Sequence, residues 1–151
     1  MSQSLAKIYL HIIFHARKDC YIHEQDLSNL QGYLSGILKQ KESTAIKIGG
    51  TENHIHMLCT LPRTLSVSDF VRDIKASSSH WLSMQGGCYR NFKWQNGYGA
   101  FSVSQSQVEK TKEYIGNQKE HHRRRTWKEE YTAFLQLYGI AFDERYVFEE
   151  E

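Results

Sequence analysis

Apolar and mixed residues alternate from Leu5 to His15, and this alternation constrains the fold more than any other feature of the sequence. Successive side chains of a β-strand point to opposite faces, so a period of two predicts a strand. One predicted face is apolar and the other is mixed: Ala6, Ile8, Leu10, Ile12 and Phe14 on the first, and Lys7, Tyr9, His11, Ile13 and His15 on the second. The apolar run is too short to cross a bilayer, so we expect a strand buried on one side and no membrane segment.

The segments that follow alternate between helical and strand patterns. Leucines and isoleucines recur at helical spacing from Glu24 to Lys41, which predicts an amphipathic helix. Residues 45–49 and 54–61 are predicted to form the two strands of a hairpin around a Gly-Gly-Thr turn. Ser66 and Asp69 match a capping box, so a second helix is expected to begin there.

The second half of the chain adds one more predicted hairpin and further helices. Residues 92–95 and 100–103 flank an Asn-Gly-Tyr-Gly turn and are expected to pair with each other. Capping boxes at Ser106-Gln-Val-Glu109 and Thr126-Trp-Lys-Glu129 predict helices that run to about Arg125 and to near Gly139.

The resulting order, β-α-β-β-α-β followed by appended helices, predicts an α+β fold of the ferredoxin-like, RRM-like kind. In such a fold an antiparallel sheet carries two helices on one face, and we expect the opposite face to be free to bind something. We interpret residues 1–151 as one domain with a core at 1–103, a helix at 104–125, and a C-terminal helix and tail at 126–151. This fold hosts many activities, so it predicts no function by itself.

The cysteines and the charged residues bear on the cellular location of the chain and on nucleic-acid binding. Its three cysteines lie far apart and include no Cys-x-x-Cys pair, which argues against a disulfide framework and indicates a reduced, cytoplasmic location. The formal net charge of +2 says little about nucleic acid, although the run His-His-Arg-Arg-Arg at 121–125 is locally very basic. Such a run is also typical of a solvated helix end.

Two histidines occur at His54 and His56, separated by Ile55, in the middle of a predicted strand. Side chains two positions apart in a strand share a face and lie about 6.5–7 Å from each other, given a rise of roughly 3.3 Å per residue. Two imidazoles at that spacing can converge on one metal ion. The same pattern also fits two surface histidines on a half-exposed strand.

A stripe of polar residues runs along the predicted helix that begins at Ser106. Members of this stripe follow one another at helical spacing: Tyr114, Gln118, His121 and Arg125. The opposite side offers a thin docking face, consisting of Val108, Thr111 and Ile115. A helix shaped mainly for packing would carry leucines in the stripe, so a functional role is indicated, with a half-buried structural tyrosine as the alternative.

Taken together, these motifs resemble the single-tyrosine transposases of small insertion sequences, which are part of the HUH superfamily of nucleases. The resemblance rests on the His-hydrophobic-His strand, on the helix with Tyr-x-x-x-Gln, and on their order. Three supporting stretches also match: Asn53–Leu58, Lys75–Ser79 before Trp81, and Phe92–Ser104, which contains Trp-Gln-x-Gly-Tyr-Gly. The resemblance covers essentially the whole chain.

The resemblance implies roles for individual residues. His54 and His56 would be metal ligands with Gln118 as the third, and Tyr114 would be the nucleophile that forms a covalent 5′-phosphotyrosine with DNA. Mg²⁺ or Mn²⁺ is the expected cofactor, although imidazole would also accept Zn²⁺, Ni²⁺ or Co²⁺. The resemblance also implies a homodimer in which each tyrosine helix can complete the metal site of the partner.

The expected substrate is single-stranded or hairpin DNA. Candidate DNA contacts are exposed aromatic and basic side chains: Tyr98, Arg90, Lys93, His121, Arg124 and Arg125. Two alternatives stay open. One is a domesticated relative that acts on genomic palindromes, and the other is a noncatalytic nucleic-acid-binding domain like an RNA-recognition domain, although the sequence carries no RNP-like aromatic signature.

Overall fold

The four strands of the computed structural model form one antiparallel sheet, and the structure describes residues 3–118, 120 and 124–148 of the chain. The strands are β1 (Tyr9–His15), β2 (Ala45–Gly50), β3 (His54–Thr60) and β4 (Gly99–Val103). They lie in the order β2-β3-β1-β4, which puts β1 and β3 in the centre. With the helices between them, they confirm the predicted β-α-β-β-α-β order and the α+β fold.

Five α-helices lie within the described residues: α1 (Glu24–Gln40), α2 (Val67–Met84), α3 (Val108–Gly116), α4 (Trp127–Leu137) and α5 (Glu144–Val147). Two predicted caps are confirmed. The Ser66 hydroxyl accepts a hydrogen bond from the Asp69 amide at the start of α2. Thr126 and Glu129 exchange both hydrogen bonds of a capping box at the start of α4.

The main core lies between the sheet and the pair α1 and α2. It includes side chains from the predicted apolar face of β1 together with residues of β3 and both helices: Leu10, Ile12, Phe14, Ile55, Met57, Leu30, Leu34, Phe70 and Ile74. Burial of this set removes a large apolar area from water, which is the dominant stabilising contribution in a domain of this size. The predicted apolar face is confirmed for Leu10, Ile12 and Phe14, whereas Ala6 and Ile8 precede β1 and are exposed.

The opposite face of the sheet is covered, so the expectation of a free face is wrong. Val108 and Ile115 of α3 pack on Leu58 of β3. On the other half of the same face, α4 packs Tyr131 and Leu135 against β1 and β4. The physical reason is that the appended helices are amphipathic and have an apolar stripe to bury.

The helix predicted for residues 106–125 is interrupted, which corrects a second expectation. Ser106 does not cap it; its hydroxyl lies 3.1 Å from the Ser104 hydroxyl, and α3 begins at Val108. The helix ends at Gly116, and the Asn117 amide bonds back to the Glu113 and Tyr114 carbonyls. Glycine is a poor helix former, and it stands where the break occurs. Beyond the break, Gln118, Glu120 and Arg124 are helical again.

The hairpin predicted between residues 92–95 and 100–103 is also wrong. Trp94 makes a single bridge with Ala16, and β4 pairs with β1 instead. Packing decides this, because Trp94 is buried in T-shaped contact with Phe14 and donates its indole N–H to Ser78. The turn itself is held by Lys75, whose ammonium group donates to the carbonyls of Gln95 and Gly97.

Candidate functional site

His54 and His56 project from β3 on the face opposite the main core, as the sequence predicts. Both are fully buried, their ring centroids are 5.0 Å apart, and Ile55 between them points into the core. The alternation of a strand produces this arrangement directly. The interpretation as two surface histidines is wrong, because α3 and α4 cover this part of the sheet.

Helix α3 and the turn after it bring two more predicted residues to the histidines. The Tyr114 ring lies 5.9 Å from the His56 ring, and Gln118 Oε1 lies 3.2 Å from His54 Nε2. Gln118 is only 2% exposed, although the helix breaks between it and Tyr114. All four predicted site residues therefore gather within a single chain.

Glu130 is a fifth member of the cluster, and the reasoning from sequence missed it. Its Oε1 atom lies 2.8 Å from His56 Nε2 and 3.6 Å from His54 Nε2, and the residue is 3% exposed. A signal was present, since Glu130 shares a helix face with Trp127 and Phe134. An acidic side chain on the apolar stripe of an amphipathic helix needs a partner, whereas the adjacent Glu129 caps the helix.

Burial and the two histidines set the protonation of Glu130. Burial by itself favours the neutral acid, but the neighbouring His54 and His56 side chains outweigh it and hold the pKa of Glu130 far below its usual range. Glu130 is therefore a carboxylate. Burial raises the pKa of the Tyr114 hydroxyl, the Glu130 carboxylate raises it further, and the charge of Arg125 acts in the opposite direction.

The neighbours of His54 fix which of its ring nitrogens carries a proton. Nδ1 lies 2.8 Å from Asn53 Oδ1, an acceptor that also receives the Thr51 hydroxyl at 3.1 Å. His54 Nδ1 therefore carries a proton and donates to Asn53. Its Nε2 atom faces two oxygens that can only accept, one from Gln118 and one from Glu130.

Three electron-pair donors facing one another repel unless a positive charge lies between them. Either a second proton on His54 or a metal cation can supply that charge. Among the described residues, His54, His56 and Glu130 are the cluster whose ligand atoms all lie within 4.8 Å of one another. Imidazole nitrogens with amide and carboxylate oxygens suit divalent cations such as Mg²⁺, Mn²⁺ or Zn²⁺, so the residues present fit a metal centre.

The remaining predicted residues lie outside this cluster. Tyr98 is exposed at the mouth of a cavity of about 220 Å³ that Trp127 and His15 also line. The predicted phosphate contacts within the described residues are all exposed: Arg90, Lys93, Arg124 and Arg125. The prediction for His121 falls outside the described residues.

Residues 4–118 match the model of the family described as IS200-like transposase. A crystal structure from Deinococcus radiodurans R1, described as a candidate transposase, is similar at 18% identity and a TM-score of 0.60, covering 78% of this chain and 98% of its own. A tyrosine transposase associated with REP sequences, solved with a REP hairpin, is similar at 15% identity and a TM-score of 0.55, covering 78% of this chain and 72% of its own. Among curated proteins, none matches significantly.

Two further findings concern the cysteines and the apolar character of the helices. Cys20, Cys59 and Cys88 are all free thiols. In the part of the chain that the structure describes, no helix combines the length and apolar character needed to span a bilayer.

Proposed function

This chain belongs to the family of IS200-like transposases, and on that premise we propose that it cleaves and rejoins single-stranded DNA through a covalent bond to Tyr114. The observation that carries the proposal is the position of Tyr114 beside His56, with ring centroids 5.9 Å apart, next to a cluster able to hold a metal. A nucleophile adjacent to an electrophilic centre is the arrangement that phosphoryl transfer requires.

In this proposal His54, His56 and Gln118 hold a divalent cation, Mg²⁺ or Mn²⁺. When bound, the cation would polarise the DNA phosphate and offset the negative charge that develops during the reaction. His54 is prepared for this role, because its Nδ1 proton is committed to Asn53 and its Nε2 atom faces the cluster. Asn53 and Thr51 hold the ring in place, as partners of metal ligands commonly do.

Tyr114 supplies the nucleophile. Its phenolic oxygen loses its proton to solvent and forms a bond to phosphorus, the bond from phosphorus to the 3′ oxygen breaks, and the released 3′ oxygen takes up a proton from solvent. The phosphotyrosine ester conserves the energy of the broken bond, so a 3′ hydroxyl can attack it later and restore a DNA strand. At pH 7 only about 0.1% of an ordinary tyrosine is ionised, and burial lowers that fraction here.

We propose hairpin or single-stranded DNA as the substrate, which is supported by the REP hairpin bound to the similar tyrosine transposase. Tyr98 is exposed near Trp127 and is available to stack on a base, and Arg125 is close enough to influence Tyr114. Phosphate contacts are assigned to the other basic side chains: Arg90, Lys93, His121 and Arg124.

We further propose a homodimer that acts in the reduced cytoplasm. Free thiols at all three cysteines support the compartment, and the resemblance to the family supports the dimer. Sedimentation equilibrium should give a dimer at micromolar concentration, and a monomer throughout would contradict this part of the proposal.

The proposal is tested by trapping the covalent intermediate. The protein is incubated with Mn²⁺ and hairpin oligonucleotides drawn from the DNA that flanks its gene, labelled at the 3′ end because the fragment on that side stays attached to tyrosine. Wild type should give a labelled band that survives a denaturing gel. Tyr114→Phe should bind DNA in a gel shift and form no adduct.

Tyr33→Phe is the matched control, since Tyr33 stacks on Trp81 away from the cluster. An adduct with Tyr114→Phe would assign the nucleophile to another tyrosine. Hairpin binding by wild type with no adduct on any substrate would favour the noncatalytic binding domain. Element ends in the flanking DNA would distinguish a mobile transposase from a domesticated relative acting on palindromes.

A further inference from the structure

Glu130 lies where the metal centre of the proposed function would be, yet it comes from α4, beyond the residues that match the family. Three separations describe the cluster. Glu130 Oε1 is 2.8 Å from His56 Nε2 and 3.6 Å from His54 Nε2, and Gln118 Oε1 is 3.2 Å from His54 Nε2. Adjacent ligand atoms around an octahedral ion with bonds of about 2.1 Å lie about 3.0 Å apart.

We propose that Glu130 is a fourth protein ligand of the divalent cation and that it changes the ligand set from neutral to anionic. The inference rests on the proposed function, because it needs a metal on His54 and His56. Its distances to both histidines point to a shared centre, whereas a carboxylate paired with one histidine would approach only that ring.

The charge balance of the site supports a cation next to Glu130. A buried carboxylate is costly unless a positive charge accompanies it. The ion pairs of Glu130 within the described residues are with His54 and His56, and those histidines are charged only when protonated. A divalent cation bound between the three side chains would supply the compensating charge.

Helix α4 holds Glu130 rigidly enough to act as a ligand. The capping box of Thr126 and Glu129 fixes the first turn of the helix, immediately before Glu130. The next residue, Tyr131, and Leu135 further along the helix pack into a cluster with Ile13 of β1. A ligand on a helix that is fixed at both points keeps its geometry better than a ligand on a loop.

Four protein ligands still leave room for chemistry. An octahedral ion has about six positions, so about two would remain for a phosphate oxygen and a water molecule. Glu130 would also hold the cation when DNA is absent, because a carboxylate attracts it more strongly than an amide oxygen does.

The test is direct measurement of metal binding, independent of DNA cleavage. Isothermal titration calorimetry and the electron paramagnetic resonance spectrum of Mn²⁺ are recorded for wild type, Glu130→Gln and Glu129→Gln. Glu129 is exposed and caps the helix, a task that glutamine also performs, so Glu129→Gln is the matched control. We expect Glu130→Gln to weaken Mn²⁺ binding by at least about tenfold and the control to match wild type.

Thermal melts in metal-free buffer establish that Glu130→Gln is folded, and Glu130→Asp, which keeps the charge, should recover part of the affinity. Unchanged Mn²⁺ affinity in Glu130→Gln would overturn the proposal. Tighter binding would also overturn it, because the carboxylate would then compete with the metal. If His54→Ala no longer binds Mn²⁺ while Glu130→Gln still does, the metal centre stands and only the role of Glu130 is contradicted. If wild type binds no Mn²⁺, both the metal centre of the proposed function and the role of Glu130 are contradicted.

Discussion

His11 Nε2 lies 2.7 Å from His56 Nδ1, and both rings are buried. Burial lowers the pKa of His11 well below its ordinary value, and the neighbouring His56 lowers it further, so His11 is neutral. A neutral His11 can accept the Nδ1 proton of His56, which leaves the Nε2 lone pair of His56 available to a metal. His11 is therefore placed to position a ligand without touching the metal itself.

Replacing His11 by phenylalanine should weaken Mn²⁺ binding by about 10- to 100-fold, the usual cost of losing a partner of a metal ligand. The phenyl ring fills the same space against Phe134, so the protein should stay folded. Calorimetric titration with Mn²⁺ measures the effect. His80→Phe, at an exposed position of α2, should bind as wild type does; equal affinities for both variants would remove His11 from the site.

Loss of different ligands should produce different defects. His54→Ala should abolish metal-dependent adduct formation, because it removes a nitrogen ligand whose ring the neighbouring Asn53 holds in place. Gln118→Ala should remain active at raised Mn²⁺ concentration, because water can replace a neutral oxygen ligand. The measurement is adduct yield against Mn²⁺ concentration for both variants. A Gln118→Ala protein that no Mn²⁺ concentration rescues would contradict this order.

The stability of the metal-free protein should depend on His15. Burial, only partly opposed by a hydrogen bond to the Ala16 carbonyl, lowers the pKa of His15 to about 4. The unfolded chain takes up the proton near pH 6.5 and the folded chain does not. The contribution of His15 to the free energy of unfolding is therefore complete above about pH 6.5 and is lost as the pH falls toward 4. Between pH 7 and pH 5 the free energy of unfolding should fall by about 2 kcal/mol.

Urea unfolding in the presence of a chelator at pH 7 and pH 5 measures this loss for wild type and for His15→Phe. Phenylalanine keeps a ring against Trp127, whose centroid lies 3.8 Å from that of His15, but cannot titrate. The variant should lose about 2 kcal/mol less than wild type over this interval. An identical pH dependence for the two proteins would show that His15 is protonated equally in both states.

The close approach of α3 to β2 should make Gly49 sensitive to any side chain. A Cβ atom at Gly49 would lie 2.6 Å from the Ile115 carbonyl oxygen, so the helix that carries Tyr114 would have to shift. We expect Gly49→Ala to destabilise the fold by about 1–3 kcal/mol and to reduce adduct formation. Gly36→Ala, in α1 with no atom near the added methyl, should instead stabilise by about 0.5–1 kcal/mol. Urea unfolding of both variants measures the change in the free energy of unfolding, and a Gly49→Ala protein as stable as wild type would contradict the prediction.

The sequence predicts those parts of the site that depend on local geometry. Alternation along β3 is sufficient to put His54 and His56 on one face. Gln118 follows Tyr114 by four positions and stays close to it across the break in the helix, where its amide donates to the Tyr114 carbonyl. The Ser66 cap of α2 and the capping box of α4 were also predictable, because each depends on residues within one turn of the helix.

The parts of the fold and of the site that were not predicted depend on contacts between segments that are distant in the chain. Glu130 meets His56 across 74 positions, and no local pattern specifies which face of the sheet α4 will cover. The failed hairpin has the same origin, since Trp94 pairs with Ala16 once its indole ring is buried beside Phe14. Helix α3 ends at Gly116, although the polar stripe predicted that it would continue to about Arg125. The low helix propensity of glycine opposes that continuation.

Helix α4 packs over the cluster of His54, His56, Gln118 and Glu130, and this has a consequence for how a metal ion would enter it. Once α4 has packed, His54, His56, Gln118 and Glu130 are each at most 3% exposed. A hydrated ion therefore reaches the cluster of the folded protein only when α4 moves, so we expect a metal ion to exchange more slowly here than at an exposed site.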